Sequence, residues 1–312
     1  MTEAHDIWEP KLRVRASGYG GSGYILPHLT GGDGQQLKVP GVTTILGALP
    51  KEGLIQWSVD NTVAYMLANL DRVMDLEDSV AFQKFRFYHS RKPAMDSPEL
   101  NPFNAHAGVL NDAAETGTRV HDWIAAHVTG LIEPELVNAQ QEEAVEAFLK
   151  WYADQDISPV LTEATVVNET LGYAGTLDHV WNINGRTLLV DVKTSKRVYD
   201  SHVAQIAALR NSEYRMVETT KGKGVLFKSR RHGDTYWTAA PLPEVEGSMI
   251  LKTRFEDIDN QGTVIDPVCE PYYIKPEFER VGFNLFTACL TMKKALSTYA
   301  KTERALGDPY YG

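Results

Sequence analysis

The chain is poor in cysteine, with only Cys269 and Cys289 among its 312 residues. Two thiols exclude a disulfide framework and any four-cysteine zinc or iron–sulfur site built from this chain alone. Long apolar runs are missing as well: no stretch approaches the roughly 20 residues that a membrane-spanning helix needs. The segment from Met1 to Pro10 is polar and acidic, unlike a secretory signal. An excess of basic residues is also absent. Lys and Arg number 31 against 41 Asp and Glu, a formal net charge of −10. A protein that coats nucleic acid nonspecifically carries the opposite sign, whereas an enzyme that meets nucleic acid in one local groove need not. Glycines cluster at 18–23 and 31–34, but no Gly-Lys-Ser/Thr follows them. These clusters therefore read as hairpin turns and not as a phosphate-cradling loop. The absences together lead us to expect a cytoplasmic protein without membrane contact.

What remains is ordinary globular material, 43% apolar and 23% charged, in a chain long enough to bury a sizeable core. The charge is unevenly spread. Acids outnumber bases over residues 112–163. The balance reverses over 186–237, which includes Lys193, Lys196 and Arg210. An acidic stretch suited to cations thus precedes a basic one suited to phosphates.

Periodicity gives the order of elements. Apolar residues at helical spacing predict helices over 54–70, 79–89, 109–128 and 134–154, with Pro134 suited to the first turn. Val42-Thr43-Thr44-Ile45-Leu46 reads as either a short strand or a buried helix start. After Pro159 the period changes to that of strands, predicted over 160–167, 173–183 and 187–192. Asn184-Gly185 supplies the strongest hairpin signal in the chain. A helix over 201–217, strands over 224–229 and 235–240, and a long helix over 276–305 complete the pattern. The expected fold is α/β, a mixed central sheet flanked by helices. Its core spans 109–240, between a partly helical N-terminal extension (1–108) and a C-terminal helical extension (241–312).

The informative chemistry lies between Glu163 and Gln205. Asp191 and Lys193 stand two apart in one strand and so share a face, with Val190 and Val192 turned to the core. The turn at Asn184-Gly185 folds the strand of Asp178 back beside them. Two carboxylates hold a hard divalent cation through oxygen. Such a cation polarises a phosphodiester and lowers the pKa of its bound water. A neighbouring lysine orients that water or stabilises charge in the transition state. His179, next to Asp178, is expected on the opposite strand face, and His202, one helical turn before Gln205, flanks the site. Phe82 to Lys92 interleaves aromatic and basic residues. It suits a surface that stacks bases and binds phosphates, or an amphipathic helix with a solvated basic face.

The Asp178…Asp191-Val192-Lys193 arrangement on a hairpin resembles the PD-(D/E)XK nuclease superfamily. Gly117-Thr118-Arg119-Val120-His121 is similar to the Gly-X-X-X-His helix motif of its RecB-like group, and Gln205 to the glutamine of that group's final motif. The segment from Val42 to Leu46, with Trp57, looks like the opening of phage-encoded exonucleases in the same group. The motif region covers about residues 109–215. The resemblance implies a restriction-endonuclease-like core, with His121, Asp178 and Asp191 as metal ligands and the Val192 carbonyl often joining them. Lys193 would be the catalytic lysine, Gln205 a residue holding the site or the DNA, and Glu163 a further carboxylate. The group's tyrosine four positions after the glutamine is replaced by Leu209. The four cysteines of the CRISPR-adaptation branch are missing, which leaves no iron–sulfur cluster.

The implied activity is a Mg²⁺- or Mn²⁺-dependent DNA exonuclease of phage recombination or replication, with a histidine ligand favouring Mn²⁺. Its expected partners are DNA with a free end and a phage single-strand annealing or recombinase protein. The expected DNA contacts are Lys84, Arg86, Lys196 and Arg210. Three alternatives stand beside it: a structure-selective or site-specific endonuclease on the same core, a catalytically silent DNA-binding module, and a scaffold for a small anionic ligand.

Overall fold

The computed structural model describes residues 12–16, 21–50, 52–68, 105–229, 233–258 and 263–302. The expected helix at 79–89, and with it Lys84, Arg86 and the Phe82 to Lys92 segment, lies outside the described residues. The chain divides into two units, residues 1–49 with 119–312, and residues 50–118.

In the first unit the glycine-rich start folds as an antiparallel three-stranded sheet of Arg13–Ala16 (β1), Gly21–Pro27 (β2) and Gln36–Pro40 (β3). Val42–Leu46 follows as a short helix (α1), burying Val42, Thr44, Ile45 and Leu46. Of its two possible readings, the helical one is observed. The second unit holds the helix Glu52–Ala68 (α2) and the first part of Ala105–Thr129 (α3). From Arg119 onward α3 belongs to the first unit, and there Val120, Ile124 and Val128 are buried.

The next helix is Ala139–Ala153 (α4), five residues later than Pro134 suggested. Asn138 causes the delay: its side chain accepts a hydrogen bond from the Gln141 amide at 3.0 Å and caps the helix there. Ile157–Asn168 (β4), Tyr173–Ile183 (β5) and Arg186–Lys193 (β6) then form an antiparallel meander. Asn184 and Gly185 take φ of 51° and 84°, as a two-residue turn of type I′ requires. The helix Asp200–Arg210 (α5) ends well before residue 217. The Glu213 amide donates to the Val167 carbonyl at 2.8 Å, which draws the chain out of the helix and into Tyr214–Thr219 (β7) beside β4. Val225–Ser229 (β8) and Gly233–Ala240 (β9) extend that side.

The sheet does not stop at Ala240. Residues 241–312 were expected as a helical extension, but Gly247–Arg254 (β10) pairs parallel with β6 and Val268–Ile274 (β13) pairs antiparallel with β10. Asp257–Ile258 (β11) and Val264–Ile265 (β12) make a small separate ladder, and Pro276–Thr302 (α6) follows. β10 is buried on both faces, with Met249 and Leu251 on one and Ile250 on the other, as a strand covered on both sides must be. The result is an eight-stranded mixed sheet in the order β13-β10-β6-β5-β4-β7-β9-β8.

Three apolar clusters fix the layers. α1, α5 and α6 cover one face of the sheet, through Ile45, Ile206, Leu209 and Phe286 against Leu177, Val180 and Leu189. α3 and α4 cover the other, through Val120, Ile124 and Phe148 against Trp181, Val190, Val192 and Leu251. The β1–β3 sheet packs on the β7–β9 side, through Leu26 and Val39 with Val167, Met216 and Phe227.

Candidate active site

The β5–β6 ladder runs from Ile183 and Arg186 up to His179 and Val190, where its register ends. Beyond that point the Val192 amide donates to a side chain, Asp178 Oδ2, at 2.8 Å. A carboxylate has taken the place of a strand carbonyl, and the two strands part around it. The other neighbour is irregular at the same level. Glu163 sits opposite Asp178, between the pairs Thr162–His179 and Ala164–Leu177, with a left-handed φ of 50°. The alternation of β5 slips here too. Tyr173 and Leu177 pack under α5 and so does Val180, while Trp181 turns to the α3–α4 side.

Asp191 is 1% exposed, on the sheet face under α5. Its Oδ1 accepts from Gln205 Nε2 of α5 at 3.2 Å, and its Oδ2 is ion-paired with the Lys193 ammonium. That oxygen has no hydrogen-bond partner among the described residues apart from this ammonium. Lys193 Nζ also donates to the Val192 carbonyl at 3.1 Å. From the α3 side, His121 Nδ1 stands 3.4 Å from Asp178 Oδ2. The structure therefore brings His121, Asp178, Asp191, Lys193 and Gln205 together at the open end of the β5–β6 pair, between the two helical layers.

The electrostatics follow from burial. Desolvation pushes Asp191 up to about 6, with Lys193 opposing the shift and Asp178 adding to it. Asp178 is raised for the same first reason, opposed by Lys193 and the Val192 amide. Burial alone would lower Lys193, but Asp191 and Asp178 overcome it and raise its pKa. His121 is lowered to about 4 by burial and then by Lys193, so its imidazole is neutral and keeps a lone pair. His202 is lowered to about 4 by burial and by Lys193, and its Nδ1 accepts from the Tyr199 amide at 3.3 Å.

Among the described residues no group of three or more His, Cys, Asp or Glu side chains is arranged to hold a metal ion. The donor types nevertheless suit a hard divalent cation, with two carboxylates, a backbone carbonyl and a neutral imidazole. The charge count points the same way. Two buried carboxylates stand against one ammonium, and burial, the main cause that raises both of them, is relieved when a cation sits between them. The residues fit a cation in chemistry. As arranged, Lys193 occupies the Asp191 oxygen that a cation would take.

Other expected residues fall elsewhere. Arg210 is engaged within the fold: its guanidinium donates to Glu279 Oε2 at 2.5 Å and to the Val245 carbonyl at 3.0 Å, tying α5 to α6. Lys196 pairs with Asp257 at 2.8 Å, though its side chain is 71% exposed. Leu209, where the group has tyrosine, is buried, and a Cβ on Gly175 would come within 2.4 Å of its Cδ2. His179 stacks on Trp181, ring centroids 4.5 Å apart, on the α3–α4 side. Lys252 was not foreseen. It lies beside Lys193 in the β6–β10 register, a neighbour that only the parallel pairing reveals. Neither a scan of protein-family models nor a search of curated proteins returns a match for this chain.

Proposed function

We propose that this chain is a metal-dependent DNA exonuclease, built on a restriction-endonuclease-like core. The observation that carries the reading is the meeting of two buried carboxylates and one ammonium where the β5–β6 ladder opens. Asp178 and Asp191, with the Val192 carbonyl and His121, would hold Mg²⁺ or Mn²⁺. When bound, that ion supplies a Lewis acid for the phosphodiester and a water of lowered pKa.

The chain's own groups do the rest. Lys193, raised by both carboxylates, stays protonated and offers its charge to a phosphate oxygen as negative charge develops. Gln205 fixes the orientation of Asp191 through Oδ1. The Val192 amide fixes Asp178 in the same way, so both carboxylates are oriented before substrate arrives. His121, held neutral, adds a nitrogen donor without adding charge.

The preference for a DNA end draws on the Val42 to Leu46 and Trp57 resemblance to phage exonucleases. It also draws on the net charge of −10, which disfavours binding along duplex sides. The same resemblance makes a phage single-strand annealing or recombinase protein the fitting partner, in the cytoplasm of the host cell. The test compares linear duplex with covalently closed circles in Mn²⁺. Linear DNA is expected to be degraded and closed circles left intact. Rapid nicking of circles would replace the exonuclease with an endonuclease on the same site.

A further inference from the structure

β10 lies parallel to β6 with Ile250 opposite Asp191 and Lys252 opposite Lys193. Partners in register project to the same face, and neighbouring strands lie about 4.8 Å apart. Lys252 therefore stands beside Lys193, one strand away, on the sheet face that carries Asp191. It is only 7% exposed. Its ammonium meets Glu270 Oε2 at 2.6 Å and the Tyr272 hydroxyl at 3.3 Å, and lies 5.2 Å from the centre of the Tyr272 ring. Both partners belong to β13, the edge strand of the sheet. They are wet where Lys252 is dry: the Glu270 side chain is 42% exposed and Tyr272 is 40% exposed. The Tyr272 hydroxyl donates to Glu270 Oε2 at 3.1 Å, which closes a three-membered cluster.

Resting on the nuclease reading above, we propose that Lys252 and Tyr272 form a second strand-binding position beside the scissile phosphate, where a DNA phosphate displaces Glu270 from Lys252 and a base stacks on Tyr272. A buried ammonium requires an anion. Glu270 supplies one from the solvent side, on an edge strand, where its own hydration eases release. Tyr272 supplies an aromatic face next to a cation, the pairing by which proteins hold single strands without reading sequence. Glu270 thus stands in for the phosphate while no DNA is bound.

This assignment fixes the sign of three substitutions in the full chain. Binding of a fluorescein-labelled single-stranded oligonucleotide is followed by anisotropy in Ca²⁺ over a series of salt concentrations. Glu270→Gln removes the competing anion and is expected to tighten binding several-fold. Lys252→Gln is expected to weaken it about tenfold and to lower the slope of log affinity against log salt by about 0.7, the share of one single-strand phosphate. Tyr272→Leu is expected to weaken it about tenfold by loss of stacking. If Lys252→Gln unfolds, the Glu270 and Tyr272 variants carry the test alone. A cross-strand ion pair with no role in binding would leave Glu270→Gln and Tyr272→Leu at wild-type affinity, and that result overturns the proposal while the wild type still cuts DNA. A wild type that neither binds nor cuts DNA overturns the nuclease reading, and this inference with it.

Discussion

Replacing Arg210 by methionine asks whether its guanidinium serves the fold or a DNA surface. In the structure it closes the last turn of α5 onto the start of α6. Glu279 is 8% exposed, and it takes Arg210 on Oε2 and the Ser248 hydroxyl, 2.7 Å away, on Oε1. Arg210→Met leaves that carboxylate buried with its serine but without the cation. Breaking a buried pair from one side typically costs about 3–5 kcal/mol. The Arg210 side chain is 28% exposed, so the lower end, about 3 kcal/mol, is expected. At about 2–4 °C per kcal/mol for a unit of this size, the melting point should fall by about 6–12 °C. The double variant Arg210→Met with Glu279→Met should recover most of the loss, because an apolar pair of similar volume replaces the ions. The assay is thermal unfolding by circular dichroism, paired with DNA affinity over a salt series. The expected salt slope is that of the wild type. A melting point within about 1 °C of wild type, together with a shallower salt slope, would refute the structural role and return Arg210 to the DNA.

Two further substitutions probe the packing around the site. Gly175→Ala places a Cβ 2.4 Å from Leu209 Cδ2 and 3.1 Å from Val42 Cγ2. It should cost about 1–3 kcal/mol by overpacking, and a variant as stable as wild type in urea would show that α5 yields there. His179 is buried with its pKa lowered to about 3, first by burial and then by His121. Its folded-state pKa lies below the ordinary 6.5, so its contribution is complete above about pH 6.5 and is lost as pH falls through the window toward 3. Between pH 6.5 and 5 that loss is about 2 kcal/mol. Asp191 shifts the opposite way in part of this window, so the readout is the difference between wild type and His179→Gln. Parallel stability curves for the two proteins would contradict this account of His179.

The parts legible in the sequence were those that local chemistry dictates. Asn184-Gly185 announces its turn because only two left-handed residues fit there, and the turn fixes which residue of β5 meets which residue of β6. Asp191 and Lys193 share a face through the two-residue period of any strand. Long-range pairing was not legible. β10 joins β6 across more than fifty residues, and its run Met249-Ile250-Leu251, buried on both faces, lacks the alternation that marks a half-exposed strand. The position of Lys252 was hidden for that reason. Arg210 looked free in a basic stretch because its partner, Glu279, is 69 residues further on. Pro134 was a plausible first turn, but the Asn138 side chain set the start of α4 instead. The end of α5 was decided by the Glu213 amide finding Val167 on another strand.

The most direct test of the site is the loss of end-labelled linear duplex DNA in Mn²⁺, with EDTA as the control, for the wild type and for Asp191→Asn. The substitution keeps the volume of a side chain that is 1% exposed and removes its charge from beside Lys193. The account predicts rapid loss of label for the wild type in Mn²⁺ and none in EDTA. It predicts a rate lower by at least about 10²–10³ for Asp191→Asn, with the fold retained. Equal rates for the two proteins, or cleavage that persists in EDTA, would contradict it.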